Sequence, residues 1–315
     1  MVERMQKVAL FYNPASGRRS AQRAHDVKIA ADVLRAAGKQ VHVEPTRGPG
    51  TAAAQVHEAK AQGADTVLIA GGDGTIHDAL QGLAGSDLTL GVIPMGTGNV
   101  LAHDLAISHQ PHEAAKQLLA FQSRRIALGK VTYRGIRGPE SRWFVAVAGV
   151  GGSAKLMYDV HAGLKGAHGM LAYYAQMARL ALLHRFDSFN VEYRSDDGQW
   201  IKCTAVEADA VRITNFGGLM RRWAWGANLQ RDDAQLVLFQ TGSRPRFLHY
   251  TFSRILGRHW HTPGVELIYA KEIRCTVSNP AQRLHVEADG EYIGGPPVTI
   301  EVVPNMLNLL MEAKG

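Results

Sequence analysis

The first third of the chain repeats one pattern, in which a short apolar run is followed directly by a loop of small and polar residues. Three such runs are Lys7–Tyr12, Thr66–Ala70 and Leu88–Ile93, and each has the length and composition of a buried strand. Segments with helical spacing lie between the runs, so the pattern predicts βαβ units and a parallel sheet. Because ligands of an open parallel sheet bind outside the carboxyl ends of its strands, the three loops lie at the expected ligand edge.

Glycine is concentrated in these loops, whose sequences are Asn-Pro-Ala-Ser-Gly (13–17), Gly-Gly-Asp-Gly-Thr (71–75) and Pro-Met-Gly-Thr-Gly-Asn (94–99). Without a Cβ atom, glycine lets the backbone approach a phosphate closely. The helix predicted after each loop directs N–H groups and the positive end of its dipole at an anion. Three loops of this kind at one edge favour a nucleotide phosphate site.

Each loop also has a purely structural interpretation. Asn-Pro followed by Ser-Gly is a common turn, and Gly-Thr-Gly-Asn before an apolar helix is a plausible cap. Thr75 with Asp78 fits a capping box that has a shorter acid in the fourth place. Asp73, however, falls in the turn at the expected ligand edge. The sequence contains no P-loop, and no single loop supplies the dinucleotide pattern Gly-x-Gly-x-x-Gly.

The character of the chain changes near Arg124. The later apolar runs are strand-like and are separated by turn residues, which predicts an antiparallel sandwich. We therefore expect a nucleotide-binding α/β domain over 1–126 and a β-sandwich domain over 127–303. The terminal stretch Asn305–Glu312 is predicted to be a short helix.

An acidic group lies far downstream, in the sequence Glu287-Ala-Asp289-Gly290-Glu291. Three carboxylates within five residues can hold Mg²⁺ and accept a proton from a hydroxyl. The alternative is an Asp-Gly hairpin turn with solvated acids.

The basic residues are unevenly distributed. The chain has 35 Lys and Arg against 28 Asp and Glu, and the stretch 212–258 contains eight Arg and only two acids, with aromatic residues among them. This composition suits an anionic membrane surface or single-stranded nucleic acid, and a solvated basic face is the plain alternative. We expect Arg221, Arg222 and Trp223 to contact an anionic membrane, and we expect no nucleic-acid partner.

Two cysteines, Cys203 and Cys275, do not make a disulfide framework. No uncharged stretch offers the ~18 apolar residues of a spanning helix, and the N-terminus lacks the features of a signal sequence. We therefore expect a cytoplasmic protein that associates peripherally with a membrane. The oligomeric state stays open, and a homodimer is among the alternatives.

Taken in order, the motifs resemble the diacylglycerol kinase catalytic family of lipid kinases, which includes sphingoid-base and ceramide kinases and soluble bacterial members. The three glycine loops and Asp289-Gly-Glu291 match motifs of that family, and Thr46 is similar to its adenine-side threonine. The implied nucleotide-binding residues are Asn13, Ser16, Gly17, Arg18, Thr46, Gly71, Gly72, Gly74, Thr75, Gly96, Thr97, Gly98 and Asn99.

The resemblance implies a Rossmann-like parallel sheet, similar to those of phosphofructokinases and NAD kinases, joined to an antiparallel β-sandwich. It also implies that the C-terminal helix, 304–315, returns to the first domain. The implied activity is ATP- and Mg²⁺-dependent phosphorylation of a lipid alcohol such as diacylglycerol, a sphingoid base or ceramide. Asp73 would help to hold Mg²⁺, Glu291 would be the base, and Asp289 would lie nearby on metal or phosphate.

The sequence departs from the family pattern at several positions. Asp78 stands where Glu is usual, Val100 where Asp is frequent, and Ser153 where Asp is frequent. Asp232-Asp233-Ala-Gln-Leu236 differs from the Asp-Gly-x-Leu-Asp stretch near the structural Mg²⁺ site of bacterial members. Two alternatives therefore stay open: an NAD-kinase-like small-molecule kinase, and a non-catalytic regulator that binds lipid or nucleotide.

Overall fold

The computed structural model describes residues 5–14, 20–135, 138–163, 186–195, 198–218, 222–279 and 281–313. The chain forms two compact units. One comprises Met1–Leu128 with Pro304–Gly315, and the other comprises Gly129–Val303. The boundary expected from the sequence lies between residues 126 and 127.

The first unit contains a parallel sheet in the order β2-β1-β3-β4. Its strands are β1 (Lys7–Tyr12), β2 (Gln40–Pro45), β3 (Thr66–Gly71) and β4 (Thr89–Pro94). Its helices are α1 (Ser20–Ala36), α2 (Ala52–Ala61), α3 (Asp73–Leu83), α4 (Val100–Asp104) and α5 (Pro111–Ala120). Every residue of β3 and β4 is buried, as is typical of parallel strands with both faces covered. The predicted parallel sheet is confirmed.

The second unit is built from antiparallel strands. They are β5 (Gln122–Gly135), which begins in the first unit, β6 (Gly138–Phe144), β7 (Val147–Gly151), β8 (Phe189–Arg194), β9 (Trp200–Ala205), β10 (Glu207–Val211), β11 (Ala234–Phe239), β12 (Val265–Ala270), β13 (Glu272–Thr276), β14 (Val286–Ala288) and β15 (Glu291–Met311). Its helices are α6 (Gly152–Gly163) and α7 (Arg244–Ile255).

Strand β15 takes part in two runs of pairing in the second unit. Its first residues pair with β14, which completes the sheet order β12-β11-β10-β7-β14-β15. Its residues 298–301 pair with β13 in a second run of strands, in the order β15-β13-β8-β9. Pairing of this kind lets the two sheets of a sandwich share one long strand. The predicted antiparallel sandwich is confirmed.

The predicted C-terminal helix is wrong, because Asn305–Glu312 lies almost wholly in the strand β15. Asn308 and Leu309 pair in parallel with Thr89 and Leu90 at the edge of β4. The open edge of β4 offers partners for the backbone N–H and C=O groups of this segment, and Leu307 and Leu309 become fully buried. Tertiary pairing therefore overrides a local spacing that also suits a helix.

Arg212, which follows β10, is the largest fully buried side chain in the described part of the chain. Its guanidinium donates to the carbonyl oxygens of Leu229, Arg231 and Asp233, at 3.2, 3.3 and 3.0 Å. Asp233 is in turn paired with Arg231 at 2.7 Å. Burial lowers the pKa of Arg212 to about 10, so the side chain stays charged at neutral pH. A guanidinium therefore organises the loop in which the sequence raised the question of a second metal.

Replacing Arg212 with Met should lower the free energy of unfolding by about 3 kcal/mol or more, because each buried carbonyl left without a donor costs ~1–3 kcal/mol. Urea unfolding followed by circular dichroism measures the change. Lys202→Met is the matched control, since Lys202 makes an exposed pair with Glu192 that is worth ~0–1 kcal/mol. Equal losses in the two variants would contradict the bracing role of Arg212.

Candidate active site

The glycine loops after β1, β3 and β4 meet at the carboxyl edge of the parallel sheet. The N–H of Asn13 donates to the carbonyl of Ala70 at 3.3 Å, and its side-chain amide donates to the Thr75 hydroxyl at 3.3 Å. The N–H of Met95 donates to the carbonyl of Gly71 at 2.9 Å. The grouping predicted from the strand pattern is therefore present. Three predicted nucleotide contacts, Ser16, Gly17 and Arg18, lie outside the described residues.

Two glycines permit a close approach between the second and third loops. A Cβ atom on Gly96 would lie 2.4 Å from the Cα atom of Gly72, and one on Gly98 would lie 2.5 Å from a carboxylate oxygen of Asp73. Cβ atoms are not found this close to other atoms. A side chain at position 96 would therefore force the two loop backbones apart, and one at position 98 would displace the Asp73 carboxylate. Glycine is thus required here by the packing of the two loops.

Asp73 links the two loops. It is the first residue of α3 and is half-buried, and its Oδ1 accepts the N–H of Val100 at 2.7 Å. Val100 is the first residue of α4, so the carboxylate lies at the positive end of that short helix. The Asp73 carboxylate is therefore held at the loop edge by a backbone donor from the neighbouring loop.

Asn99 shapes the third loop from within. Its backbone is left-handed, with φ of 52°, a conformation that Asn tolerates better than most residues. Its side chain accepts the N–H of Gly96 at 2.7 Å and donates to the Gly96 carbonyl at 2.9 Å. Asn99 is buried, whereas Thr97 at the tip of the loop is exposed. Thr97 is thus better placed than Asn99 to reach a ligand.

The capping box considered for Thr75 and Asp78 does not form. Helix α3 already begins at Asp73, with Gly72 as its N-cap, and Thr75 is a buried residue of its first turn. Asp78 instead accepts the N–H of Gly50 at 2.5 Å, which fixes the loop between β2 and α2. Thr46, half-buried just after β2, donates its N–H to the carbonyl of Tyr12 at 2.8 Å. It lies at the same edge of the sheet as the three loops.

In the second unit, Asp289 and Gly290 form the turn between β14 and β15. Both have positive φ, 49° and 85°, which is typical of a tight Asp-Gly hairpin. The Asp289 carboxylate accepts the N–H groups of Val145, Ala146 and Val147 at 2.9, 2.8 and 3.1 Å. Asp289 thus anchors the turn to the start of β7, and Glu291, half-buried, begins β15 directly after it.

The hairpin expected as the alternative interpretation is present, but its acids are not all solvated. Glu287 is 3% exposed and accepts the N–H of Gly290 at 2.9 Å. Burial raises the pKa of Glu287 well above its ordinary range. A glutamate in this position retains its proton over part of the range in which exposed glutamates are ionised.

Two further acids, Glu207 and Asp209 on β10, are buried and were not predicted from the sequence. The hydroxyl of Ser153 and the indole N–H of Trp223 donate to Asp209 at 2.8 and 2.9 Å, and the N–H of Ser153 donates to Glu207 at 2.9 Å. Burial raises the pKa of both carboxylates, and their mutual repulsion adds to the rise at Glu207. Alternation of acids with Ala and Val in 205–211 was the available signal, but it resembles a half-exposed strand.

The membrane contact expected of Trp223 stays a prediction, and the structure shows that this side chain is partly buried. Its ring packs against a core cluster, edge-on to Tyr250 with centroids 5.0 Å apart and stacked on Phe239 at 6.1 Å. Arg222 is exposed and lies 4.4 Å from the ring of Trp225, while Arg221 lies outside the described residues. A Trp beside Arg in the sequence does not reveal which of the two side chains faces the core.

The raised pKa of Glu287 predicts how stability depends on pH. As pH rises above the ordinary glutamate pKa, about 4.3, the folded state keeps a proton that the unfolded chain has lost, so stability falls. Glu287→Gln keeps an acceptor for Gly290 but cannot ionise. It should flatten this fall by up to about 1.4 kcal/mol per pH unit. Urea unfolding over a pH series measures the slopes, with exposed Glu266→Gln as the control. Equal slopes in the wild type and Glu287→Gln would show that Glu287 is ionised in the folded protein.

The donor groups of the described residues limit how a metal ion can be held. Within the described ranges, no three His, Cys, Asp or Glu side chains lie close enough to hold a metal ion. Mg²⁺ in kinases is usually held by one or two carboxylates together with nucleotide phosphates and water. A single carboxylate fixed at the loop edge, as Asp73 is, fits that chemistry.

Among the described residues, no helix combines the length and apolarity needed to cross a membrane.

Comparison with known proteins decides the family. The diacylglycerol kinase catalytic domain matches residues 7–131, and the YegS C-terminal NAD kinase beta sandwich-like domain matches residues 146–311. A Bacillus subtilis (strain 168) protein named diacylglycerol kinase is 30% identical to this chain, over 93% of this chain and 92% of its own length. The chain belongs to the diacylglycerol kinase family. The resemblance drawn from the motifs is confirmed, and the protein is a kinase of this family.

A second relative agrees with this assignment, and two solved structures share the fold. A Mycobacterium tuberculosis (strain ATCC 25618 / H37Rv) diacylglycerol kinase is 30% identical, over 98% of this chain and 96% of its own. The crystal structure of a diacylglycerol kinase from Bacillus anthracis str. Sterne superposes with a TM-score of 0.72 at 20% identity and covers 98% of both chains. Yeast NADH kinase shares the fold at a TM-score of 0.51 and 10% identity, over 99% of this chain and 85% of its own.

Proposed function

We propose that this family member transfers the γ-phosphoryl group of ATP to a hydroxyl of a lipid alcohol such as diacylglycerol, a sphingoid base or ceramide. The observation that supports this most is the bond between Asp73 and the N–H of Val100, which holds a carboxylate where two glycine loops meet. Phosphoryl transfer depends on positioning and on neutralising phosphate charge, and this edge of the sheet offers both.

ATP is the proposed phosphate donor, and its phosphates would lie against the loops around Gly72, Gly74, Thr97 and Gly98. Backbone N–H groups in the first turn of α3 suit phosphate oxygens. Asp73 would hold Mg²⁺, which supplies charge neutralisation on the phosphates when it is bound. Thr46 at the end of β2 would contact the adenine side, as the family resemblance implies.

Glu291 is the proposed general base. The phosphorus–oxygen bond to the acceptor forms as the bond to ADP breaks, and the hydroxyl proton passes to the Glu291 carboxylate. Asp289 is assigned a positioning role, because three N–H bonds fix the turn that carries Glu291. A contact between Asp289 and metal or phosphate stays a prediction.

The experiment presents purified protein, Mg²⁺ and ATP labelled at the γ-phosphate with several acceptors in detergent micelles. The acceptors are diacylglycerol, sphingosine and ceramide, with NAD as a small-molecule comparison. We expect the label in a lipid and none in NAD. Label in NAD alone would favour the small-molecule kinase, and nucleotide binding without any transfer would favour the non-catalytic regulator. Either result would overturn the proposal.

A further inference from the structure

Helix α7 is firmly seated in the second unit by one of its faces. Tyr250, Ser253 and Arg254 are buried, and Phe247 packs against Phe239 with ring centroids 5.3 Å apart. The Tyr250 hydroxyl donates to the carbonyl of Trp223 at 2.6 Å. The orientation of the helix is therefore fixed, and so is the face that it turns away from the core.

That outer face is apolar. Five of the ten exposed large apolar side chains in the described part of the chain belong to this short segment. They are Leu248 (41% exposed), Phe252 (55%), Ile255 (40%), Leu256 (50%) and Trp260 (41%), and together they are called the α7 face. Residues 248, 252, 255 and 256 follow helical spacing, so they form one stripe. The Trp260 ring lies 6.4 Å from Phe252 and 5.4 Å from His249, which places it beside the stripe.

The segment that carries the α7 face is basic. Residues 234–265 contain no Asp or Glu and four Arg, of which Arg244, Arg246 and Arg258 are exposed. A further cation, the exposed Arg222, lies over the ring of Trp225. The same ring contacts His259, with centroids 3.4 Å apart, which places Arg222 near this segment. Apolar side chains bordered by Arg and Trp are typical of surfaces that insert into a lipid headgroup region.

We propose that the α7 face docks this protein on an anionic membrane. This proposal rests on the proposed function in one respect, because a kinase that acts on a lipid reaches its acceptor at a membrane. Charge favours this occupant over a second copy of the chain, because a two-fold contact would bring the same Arg residues of both copies together. The aliphatic side chains of the α7 face also cannot stack on nucleic-acid bases, which argues against a nucleic-acid partner.

Vesicle co-sedimentation of the full chain, without ATP, tests the proposal. We expect binding to phosphatidylcholine vesicles that contain phosphatidylglycerol, weaker binding to phosphatidylcholine alone, and a fall with added salt. Phe252→Ser/Leu256→Ser should weaken binding about tenfold or more, since both side chains lose their apolar contact with lipid. Arg244→Ala/Arg246→Ala should weaken binding to the anionic vesicles and reduce its dependence on salt.

Trp200→Ser/Ile201→Ser is the matched control, because these side chains are 37% and 41% exposed on β9 of the same unit. It should bind vesicles as the wild type does, and circular dichroism should show all variants folded. Equal binding by the wild type and Phe252→Ser/Leu256→Ser would overturn the proposal. A second result would also overturn it: the wild type is a dimer that does not bind vesicles, and sedimentation shows that Phe252→Ser/Leu256→Ser is a monomer. The α7 face would then join two copies of the chain.

This test separates the membrane proposal from the proposed function. Asp73→Asn should bind vesicles normally, because Asp73 belongs to the other unit. If vesicles bind as expected but no lipid alcohol is phosphorylated, the proposed function fails and the docking surface stands. Suppose instead that the wild type and the variants of the α7 face phosphorylate a short-chain, water-soluble diacylglycerol equally, and that none of them differs in vesicle binding. The docking surface then fails and the kinase stands.

Discussion

Replacing Asp73 with Asn should reduce phosphoryl transfer by about 10³-fold or more, because a metal role of the carboxylate is worth several kcal/mol. The amide keeps the shape of the side chain and an oxygen that accepts the N–H of Val100. Only the negative charge is lost, so the two loops should keep their arrangement. Initial rates of lipid phosphorylation measure the effect, and thermal unfolding verifies the fold.

Asp87→Asn is the control for this prediction. Asp87 precedes β4, at the end of the strand opposite the loops, and its side chain is 93% exposed, so the substitution removes an equal charge away from the loop edge. It should retain most of the rate. A rate above about a tenth of the wild type in Asp73→Asn would remove Asp73 from the metal site, since so small a loss lies far below the contribution of a metal ligand.

Replacing Glu291 with Gln should lower kcat by about 10²–10⁴-fold, the usual scale of a lost general base. The affinity for ATP should change little, because the three glycine loops belong to the other unit. The change keeps the size of the side chain, and the Asp289 anchor of the turn is untouched. Rates at saturating acceptor, together with direct nucleotide titration, separate the two effects.

Glu301→Gln serves as the control for Glu291. It lies on the same strand and pairs with Lys130 at 3.2 Å, so its loss should leave kcat unchanged. A near-normal kcat in Glu291→Gln would exclude Glu291 as the base and pass that role to Asp73. A parallel loss of ATP affinity would instead indicate that Glu291 contacts the nucleotide.

The parallel sheet and its loop edge could be predicted because the local signals agree with the tertiary structure. The apolar runs at β3 and β4 are buried along their whole length, and each is followed at once by glycines that the packing of the loops requires. Gly96 has no room for a side chain beside the backbone of Gly72, and Gly98 has none beside the Asp73 carboxylate, so the glycines of these loops indicate close packing at this edge.

The errors arose where a distant partner decides the conformation. The segment 305–311 has apolar residues that suit either a helix or a strand, and only the open edge of β4 selects the strand. The anchoring of Asp289 was not predicted either, because the three N–H groups that donate to its carboxylate come from residues more than a hundred positions earlier. No local pattern reveals such partners.

The burial of charged and aromatic side chains could not be predicted from the sequence either. Glu207 and Asp209 alternate with small apolar residues, which is typical of a strand with one solvated face. Their carboxylates are instead buried beside Ser153 and Trp223, within hydrogen-bonding distance of backbone and side-chain donors. Which aromatic side chain of a basic stretch is exposed likewise depends on helix packing, and the packing of α7 turns Phe252 outward and Tyr250 inward.

In the proposed reaction, the γ-phosphoryl group of ATP passes to a lipid hydroxyl. ATP that carries heavy-oxygen atoms on its γ-phosphate tests this most directly, with diacylglycerol, sphingosine and ceramide as acceptors and mass spectrometry of the extracted lipids as the readout. We predict a lipid phosphate that retains the heavy oxygens in the wild type, and none with Asp73→Asn. Heavy oxygen found only in inorganic phosphate, with every lipid unmodified, would show hydrolysis without transfer and would contradict the account.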